Sequence, residues 1–135
     1  IKIKNGYIIA EAKNGLKGSN INFPHISVGA TENALLAAFN ANGKTILKNC
    51  AIEPEIIDLI KFLNMLGGKI KIVGRKIIIN GCQKIKKKIS HKVIFDRIEL
   101  GTYIIAAAMV GKKITFNNIN PKIIKHEIEI LKKWG

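Results

Sequence analysis

The sequence predicts an α/β fold built from two copies of one supersecondary unit. Segments with the alternating polarity of strands take turns with segments whose apolar residues recur every three to four positions, as in helices. The chain also matches itself when it is shifted by 68 positions: residues 43–46 (GKTI) fall on residues 111–114 (GKKI), and Leu63 falls on Leu131. A duplication of this length indicates two similar units that stack to share a core.

The first copy is the clearer one. Its Asn5-Gly6 turn predicts a hairpin. Glu53-Pro54 opens a helix, because proline is tolerated where no N–H is needed, and Gly67-Gly68 ends it. The predicted strands are 1–4, 7–12, 20–23, 44–49, 69–73 and 76–80, and the predicted helices are 31–41 and 54–66.

The second copy repeats this order. We expect a strand near 85–94, a helix over 97–109 and a strand over 113–117. A last helix begins at Asn120-Pro121, where asparagine caps and proline occupies the first turn.

Composition indicates a globular, cytoplasmic protein without a membrane partner. The apolar fraction of 47% is enough for a core. No apolar run reaches the roughly 20 residues of a membrane span. We expect no secretory leader, because no charged segment followed by an apolar run has that pattern. Cys50 and Cys82 are too few for a disulfide framework. Because the chain starts at Ile1 and ends at Gly135 in a helix terminus, we expect an internal fragment of a longer protein.

The net charge of +14 raises the question of nucleic-acid binding. Lysine outnumbers arginine by 21 to 2, whereas phosphate recognition favours the arginine fork. Codon bias explains the lysines without selection for binding, and the run Lys84–Lys88, which has no aromatic residue, is typical of a solvated strand edge. We expect no specific nucleic-acid partner, but a basic nucleic-acid-binding module remains an alternative.

The loop that enters the first helix is the strongest candidate for a binding site. Free N–H groups at a helix N-terminus favour an anion such as a diphosphate. Ser27 adds a hydroxyl, and Gly29 lets a ligand approach the backbone closely. An ordinary Ser-Gly entry to a helix would show the same pattern.

Charged residues elsewhere have two interpretations each. Glu53, Glu55 and Asp58 lie at the start of the second helix, where acidic groups suit the helix dipole. Either they cap this helix and form a salt bridge with a nearby Lys or Arg, or Glu53 orders a binding cleft. Arg97, one of the two arginines, either pairs structurally with Asp96 or a neighbour, or positions a substrate carboxylate.

Three stretches in order resemble the enolpyruvyl transferases, and within them the UDP-N-acetylglucosamine branch. Residues 27–33 (SVGATEN) resemble the nucleotide-contacting loop and helix of that family. Residues 53–59 (EPEIIDL) with 66–70 (LGGKI) resemble its next helix and turn, and residues 96–102 (DRIELGT) resemble the crossover between its two domains. The SVGATEN loop argues against the shikimate-pathway branch.

The resemblance implies repeated βαβαββ units in an inside-out α/β barrel, of which about two units are present. Residues 1–95 would belong to the nucleotide-sugar-side domain and residues 96–135 would begin the second domain. The implied reaction moves the enolpyruvyl group of phosphoenolpyruvate to the 3-hydroxyl of UDP-N-acetylglucosamine and releases phosphate, which is the first committed step of peptidoglycan synthesis.

The implied substrate-binding and cleft-ordering positions can be named residue by residue. His25 stands where the family usually has lysine. Binding of UDP-N-acetylglucosamine is expected at His25, Ile26, Ser27, Val28 and Gly29, with Glu53, Asp96 and Arg97 ordering the cleft. We expect no catalytic residue, metal or cofactor in this segment, so that it acts only with the remainder of the same enzyme. An inactive gene remnant is the other alternative.

Overall fold

The chain divides into two compact units. The computed structural model describes residues 1–82, 85 and 88–134, and the units are Ile1–His91 and Lys92–Gly135. The division falls four residues before the boundary expected after residue 95. The assignment of the two parts to two enzyme domains remains a prediction.

Six strands form among the described residues of the first unit. β1 (Lys2–Lys4) and β2 (Tyr7–Ile9) make an exposed antiparallel hairpin around Asn5-Gly6, and both turn residues have positive φ. A four-stranded sheet has the order β3-β4-β6-β5. Its members are β3 (Asn20–Asn22), β4 (Lys44–Lys48), β5 (Lys69–Val73) and β6 (Lys76–Asn80). β3 runs parallel to β4, whereas β6 is antiparallel to both its neighbours.

Two helices cover one face of this sheet. α1 (Val28–Phe39) and α2 (Pro54–Met65) bury apolar side chains against the inward-pointing residues of β4, β5 and β6. Each fully buried Leu or Ile contributes about 1.5–3 kcal/mol relative to exposure. The core residues are Leu35, Ala38, Phe39, Leu47, Cys50, Ala51, Ile56, Ile60, Leu63, Ile70, Ile77 and Ile79.

α1 is displaced from the predicted span of 31–41. It begins earlier because Ser27 caps it. It ends earlier because the backbone of Asn42 pairs with another segment: its N–H donates to Leu16 O at 2.8 Å, and its carbonyl accepts from Gly18 N at 2.7 Å. These bonds draw the chain out of the helix after Phe39.

The opposite face of the sheet carries lysines without acidic residues. Because side chains alternate along strands, one surface collects Lys44, Lys48, Lys69, Lys71 and Lys76. Part of the predicted strand edge at Lys84–Lys88 lies outside the described residues.

The second unit is helical. It contains α3 (Arg97–Val110), a 3₁₀ turn (Pro121–Ile124) and α4 (Lys125–Trp134), and α3 packs on the other two. The predicted strands near 85–94 and over 113–117 were wrong: no strand forms there among the described residues.

Missing partners explain the absent strands. In the first copy, β4 is held between β3 and β6. Residues 113–117 pair with no strand among the residues that the structure describes, and an extended segment without a paired neighbour is not stable as a strand.

Among the residues that the structure describes, no helix is both long and apolar enough to span a membrane.

Candidate nucleotide-sugar site

The candidate loop lies at one edge of the sheet. β3 leads into residues 23–27 and then α1, and β4 leads into residues 49–53 and then α2. Because β3 and β4 are parallel, both helices begin at the same edge, beyond the carboxyl ends of the strands. Ligands of α/β sheets commonly bind at such an edge.

The N-terminus of α1 is suited to an anion. Ser27 is the N-cap, and its Oγ accepts a hydrogen bond from Ala30 N at 3.3 Å. The first turn of α1 contains no acidic residue, whereas Glu55 and Glu99 lie in the first turns of α2 and α3. The positive end of the α1 dipole is therefore not offset by a first-turn carboxylate.

The predicted binding residues present mostly solvent-accessible atoms. His25, Ile26, Ser27 and Gly29 are exposed, and Val28 is half-buried against the core. A Cβ built on Gly29 would meet no atom within 4 Å, so the space over this backbone is open. The loop thus offers backbone N–H groups and one hydroxyl to a ligand.

Two side chains hold the ends of this loop. Thr31 is fully buried; its hydroxyl donates to Ser27 O at 2.8 Å and accepts from Ala51 N at 3.0 Å. At the other end, Asn49 Nδ2 donates to Phe23 O at 2.9 Å. The segment after β4 therefore supports the segment after β3.

A guanidinium supports that second segment in turn. Arg75 Nη1 donates to Cys50 O at 3.0 Å, and Cys50 N donates to Arg75 O at the same distance. The β5–β6 turn is thereby joined to the residues beneath the candidate loop.

Glu53 stands at the start of α2, on the same edge. It occupies the N-cap position but makes no side-chain capping bond. Its Oε2 atom is buried and has no hydrogen-bond partner among the described residues. The capping interpretation therefore fails for this side chain, and cleft ordering remains a prediction.

Asp96 and Arg97 belong to the second unit. Asp96 caps α3, since its Oδ1 accepts from Ile98 N at 2.8 Å and from Glu99 N at 3.2 Å. Arg97 is the first residue of α3 and has an interaction partner of its own. A role of the pair in substrate contact remains a prediction.

The two thiols differ in environment. Cys50 is fully buried, and this burial raises the pKa of its thiol, a shift that a hydrogen bond with the Ile77 backbone opposes. A protonated, enclosed thiol is a poor nucleophile. Cys82 is half-buried. No group of three or more His, Cys, Asp or Glu side chains is placed to hold a metal ion within the described ranges.

Comparison with known proteins finds a match over the whole sequence. The family model for EPSP synthase (3-phosphoshikimate 1-carboxyvinyltransferase) matches residues 1–135. The chain belongs to the EPSP synthase family. A solved structure, the enolpyruvyl transferase NikO from Streptomyces tendae, is 24% identical and superposes with a TM-score of 0.63 over 71% of this chain and 25% of that one. This likeness confirms the predicted fold class.

Curated relatives agree with the more specific resemblance to the UDP-N-acetylglucosamine branch. A Pelagibacter ubique protein is 51% identical over 99% of this chain, an Endomicrobium trichonymphae protein 48% over all of it, and a Caulobacter vibrioides protein 43% over all of it. All three are named UDP-N-acetylglucosamine 1-carboxyvinyltransferase. The chain spans 32% of the length of each.

Sequence reasoning missed Thr31, Asn49 and Arg75 as contributors to the site. The rarity of arginine could have identified Arg75, because it is one of only two arginines among the 23 Lys and Arg residues. The sequence analysis applied this argument only to Arg97. Thr31 lies inside the SVGATEN stretch but was given no role. Nothing in the sequence pairs Asn49 with Phe23, which lies 26 positions away.

Proposed function

We propose that this chain is the nucleotide-sugar-binding part of a UDP-N-acetylglucosamine 1-carboxyvinyltransferase. The observation that carries the proposal is the Ser27-capped entry to α1, which lies beyond the parallel strands and has no acidic residue in its first turn. Relatives at 43–51% identity that bear this enzyme name support the choice of ligand.

The proposed binding chemistry follows from the loop. The diphosphate of UDP-N-acetylglucosamine carries the negative charge that the α1 N-terminus attracts. Ser27 Oγ, once released from Ala30 N, hydrogen-bonds a phosphate oxygen. Gly29 permits close approach of the ligand to the backbone, while His25, Ile26 and Val28 line the adjoining part of the loop.

In the proposed reaction, the sugar 3-hydroxyl oxygen forms a bond to C2 of the enolpyruvyl group. The C2–O bond to phosphate breaks, and the hydroxyl proton leaves with the departing phosphate or a base. This chain holds the nucleotide sugar, and residues elsewhere in the enzyme act on the reacting atoms. Glu53, Asp96 and Arg97 order the cleft, with residues 1–95 and 96–135 in different domains.

Exposed apolar residues support the proposal that the remainder of the enzyme covers α3. Met109 is 82% exposed, Val110 65% and Ile98 62%. A helix that is apolar around most of its circumference is normally buried. We propose that the other two-thirds of the polypeptide buries this surface, that the enzyme acts in the cytoplasm on phosphoenolpyruvate and UDP-N-acetylglucosamine, and that it serves cell-wall synthesis.

A chimeric enzyme tests the proposed function. This chain would replace the matching third of the Pelagibacter ubique relative, with the Gly29→Asp chimera as matched control, because an added carboxylate would repel the diphosphate. We expect phosphate release from phosphoenolpyruvate that requires UDP-N-acetylglucosamine, at least a hundredfold lower release by the control (~2.7 kcal/mol), and none by this chain alone. A folded chimera that releases no phosphate would exclude the proposal.

A further inference from the structure

The Ser27 carbonyl is held by two donors from one residue. Thr31 N donates to Ser27 O at 3.1 Å as part of the helix, and Thr31 Oγ1 donates to the same oxygen at 2.8 Å. A threonine in a helix often bonds to the carbonyl four residues earlier, so this contact by itself is ordinary.

A second hydrogen bond distinguishes the Thr31 hydroxyl from that of an ordinary helical threonine. Ala51 N donates to Thr31 Oγ1 at 3.0 Å, and both residues are fully buried. A hydroxyl has one proton to donate and lone pairs to accept. Thr31 therefore uses its donor on the candidate loop and its acceptor on the segment after β4, joining the two.

The opposite end of the loop is held from the same segment. Asn49 has a φ of 57°, a left-handed conformation that asparagine tolerates better than most residues. In this conformation its side chain reaches Phe23 O, while Phe23 N donates to Lys48 O at 3.1 Å. Residues 23–27 are thus fastened at both ends, although most of their side chains are exposed.

We propose that Thr31 and Asn49 are positioning residues that fix the loop in its ligand-binding shape before the nucleotide sugar arrives. The inference rests on the proposed function for its ligand. Neither side chain touches the ligand; each acts by holding a loop carbonyl, so that the N–H groups of Val28 and Gly29 keep one direction. Binding then costs less conformational entropy than it would with a loose loop.

Four variants of this chain separate positioning from general stability. Thr31→Val keeps the shape but removes the hydroxyl, and Thr31→Ser restores it. Asn49→Gly removes the amide while allowing the left-handed backbone. Asn64→Ala is the matched control, because Asn64 also bonds the backbone through its amide, to Ile70 O at 3.1 Å and Ile70 N at 2.9 Å, but at the far end of α2.

Two measurements apply to each variant: ¹⁵N relaxation of residues 25–29 without ligand, and the Kd for UDP-N-acetylglucosamine. We expect Thr31→Val and Asn49→Gly to increase loop motion and to raise Kd about tenfold, the size of one lost hydrogen bond. Thr31→Ser should stay within about threefold of wild type. Asn64→Ala should lower the melting temperature while leaving loop motion and Kd unchanged.

The outcomes distinguish this inference from the proposed function. Unchanged loop motion in Thr31→Val and Asn49→Gly would overturn the positioning roles even if wild type binds. If wild type does not bind UDP-N-acetylglucosamine, the proposed function fails, and the relaxation data alone then decide whether the two residues hold the loop. Equal increases of loop motion and Kd in Asn64→Ala would also overturn the inference. Such a result would show that the effects on binding come from a general loss of stability.

Discussion

His91 Nε2 lies 3.1 Å from Asp58 Oδ2, and both side chains are about 88% buried. The His91 ring also lies against Phe62, with 5.4 Å between ring centroids. Asp58 and Phe62 share one face of α2, being four residues apart. His91, eleven residues after the end of β6, is thus held against α2.

This pair predicts a measurable loss of stability. His91→Ala removes the imidazole that hydrogen-bonds Asp58 and the ring that packs on Phe62, so we expect the free energy of unfolding to fall by about 1–3 kcal/mol. The matched control is Glu129→Gln, which breaks the exposed Lys125–Glu129 pair at 3.5 Å and should change stability by less than about 0.5 kcal/mol. Urea unfolding monitored by circular dichroism measures both. Equal changes in the free energy of unfolding would show that the His91 contact stabilises the fold no more than an exposed ion pair does.

Gly29→Ala separates a role in binding from a role in folding. The open space above Gly29 and its ordinary φ allow a methyl group, and alanine in a helix is more stable than glycine by about 0.5–1 kcal/mol. We therefore expect unchanged or higher stability together with a Kd for UDP-N-acetylglucosamine raised at least about tenfold, because the methyl occupies the space of the approaching phosphate. Isothermal titration calorimetry and thermal unfolding measure the two effects. Unaltered affinity would contradict close approach of the ligand to this backbone.

The cap of α3 gives a third prediction. Asp96→Ala removes the acceptor for two backbone N–H groups, which we expect to cost about 0.5–2 kcal/mol of stability. Asp96→Asn retains a capping oxygen and should recover most of this loss. Circular dichroism at increasing urea concentrations follows the change. A large loss in Asp96→Asn as well would indicate that the negative charge, rather than the cap, is what matters at this position.

The buried thiol predicts a dependence of stability on alkaline pH. The pKa of Cys50 in the folded chain lies above its ordinary value of 9.0. Below that value the thiol is protonated in both states and its burial stabilises the fold in full. As pH rises above about 9, the unfolded chain ionises first, so the stabilisation declines until the folded pKa is reached.

Comparison with Cys50→Ala isolates this effect from the titration of the lysines. We expect the stability difference between wild type and Cys50→Ala, measured by urea unfolding, to be constant at neutral pH and to shift against wild type above about pH 9. A difference that is independent of pH up to about 10 would show that burial does not perturb this thiol.

The first copy of the repeat was predictable because its local signals and its partners are both present. Asn5-Gly6 turns the hairpin, Pro54 opens α2, and the apolar stripe of α2 points to the core as periodicity requires. The second copy has the same strand signals at 113–117 but lacks a paired neighbour, and a pattern of side chains cannot show whether a partner strand is available.

The site divides in the same way. The sequence indicated that Ser27 lies in the entry to a helix, but the caps that Ser27 and Asp96 form were not predicted, although both residue types are typical caps. The supports beneath the loop do not follow from local sequence, because Thr31 meets Ala51 and Asn49 meets Phe23 only after the two parallel strands have paired. Long-range hydrogen bonds of this kind depend on register, which one sequence does not display.

The most direct test of nucleotide-sugar binding is a titration of the ¹⁵N-labelled chain with UDP-N-acetylglucosamine, followed by amide chemical shifts at low and high salt. We predict saturable shifts at Val28, Gly29, Ala30 and Thr31 that persist in high salt and are absent with N-acetylglucosamine alone. Shifts confined to the lysine surface of Lys44, Lys48, Lys69, Lys71 and Lys76 that vanish in high salt would instead indicate nonspecific anion attraction. That result would contradict binding of the nucleotide sugar by the loop at the start of α1.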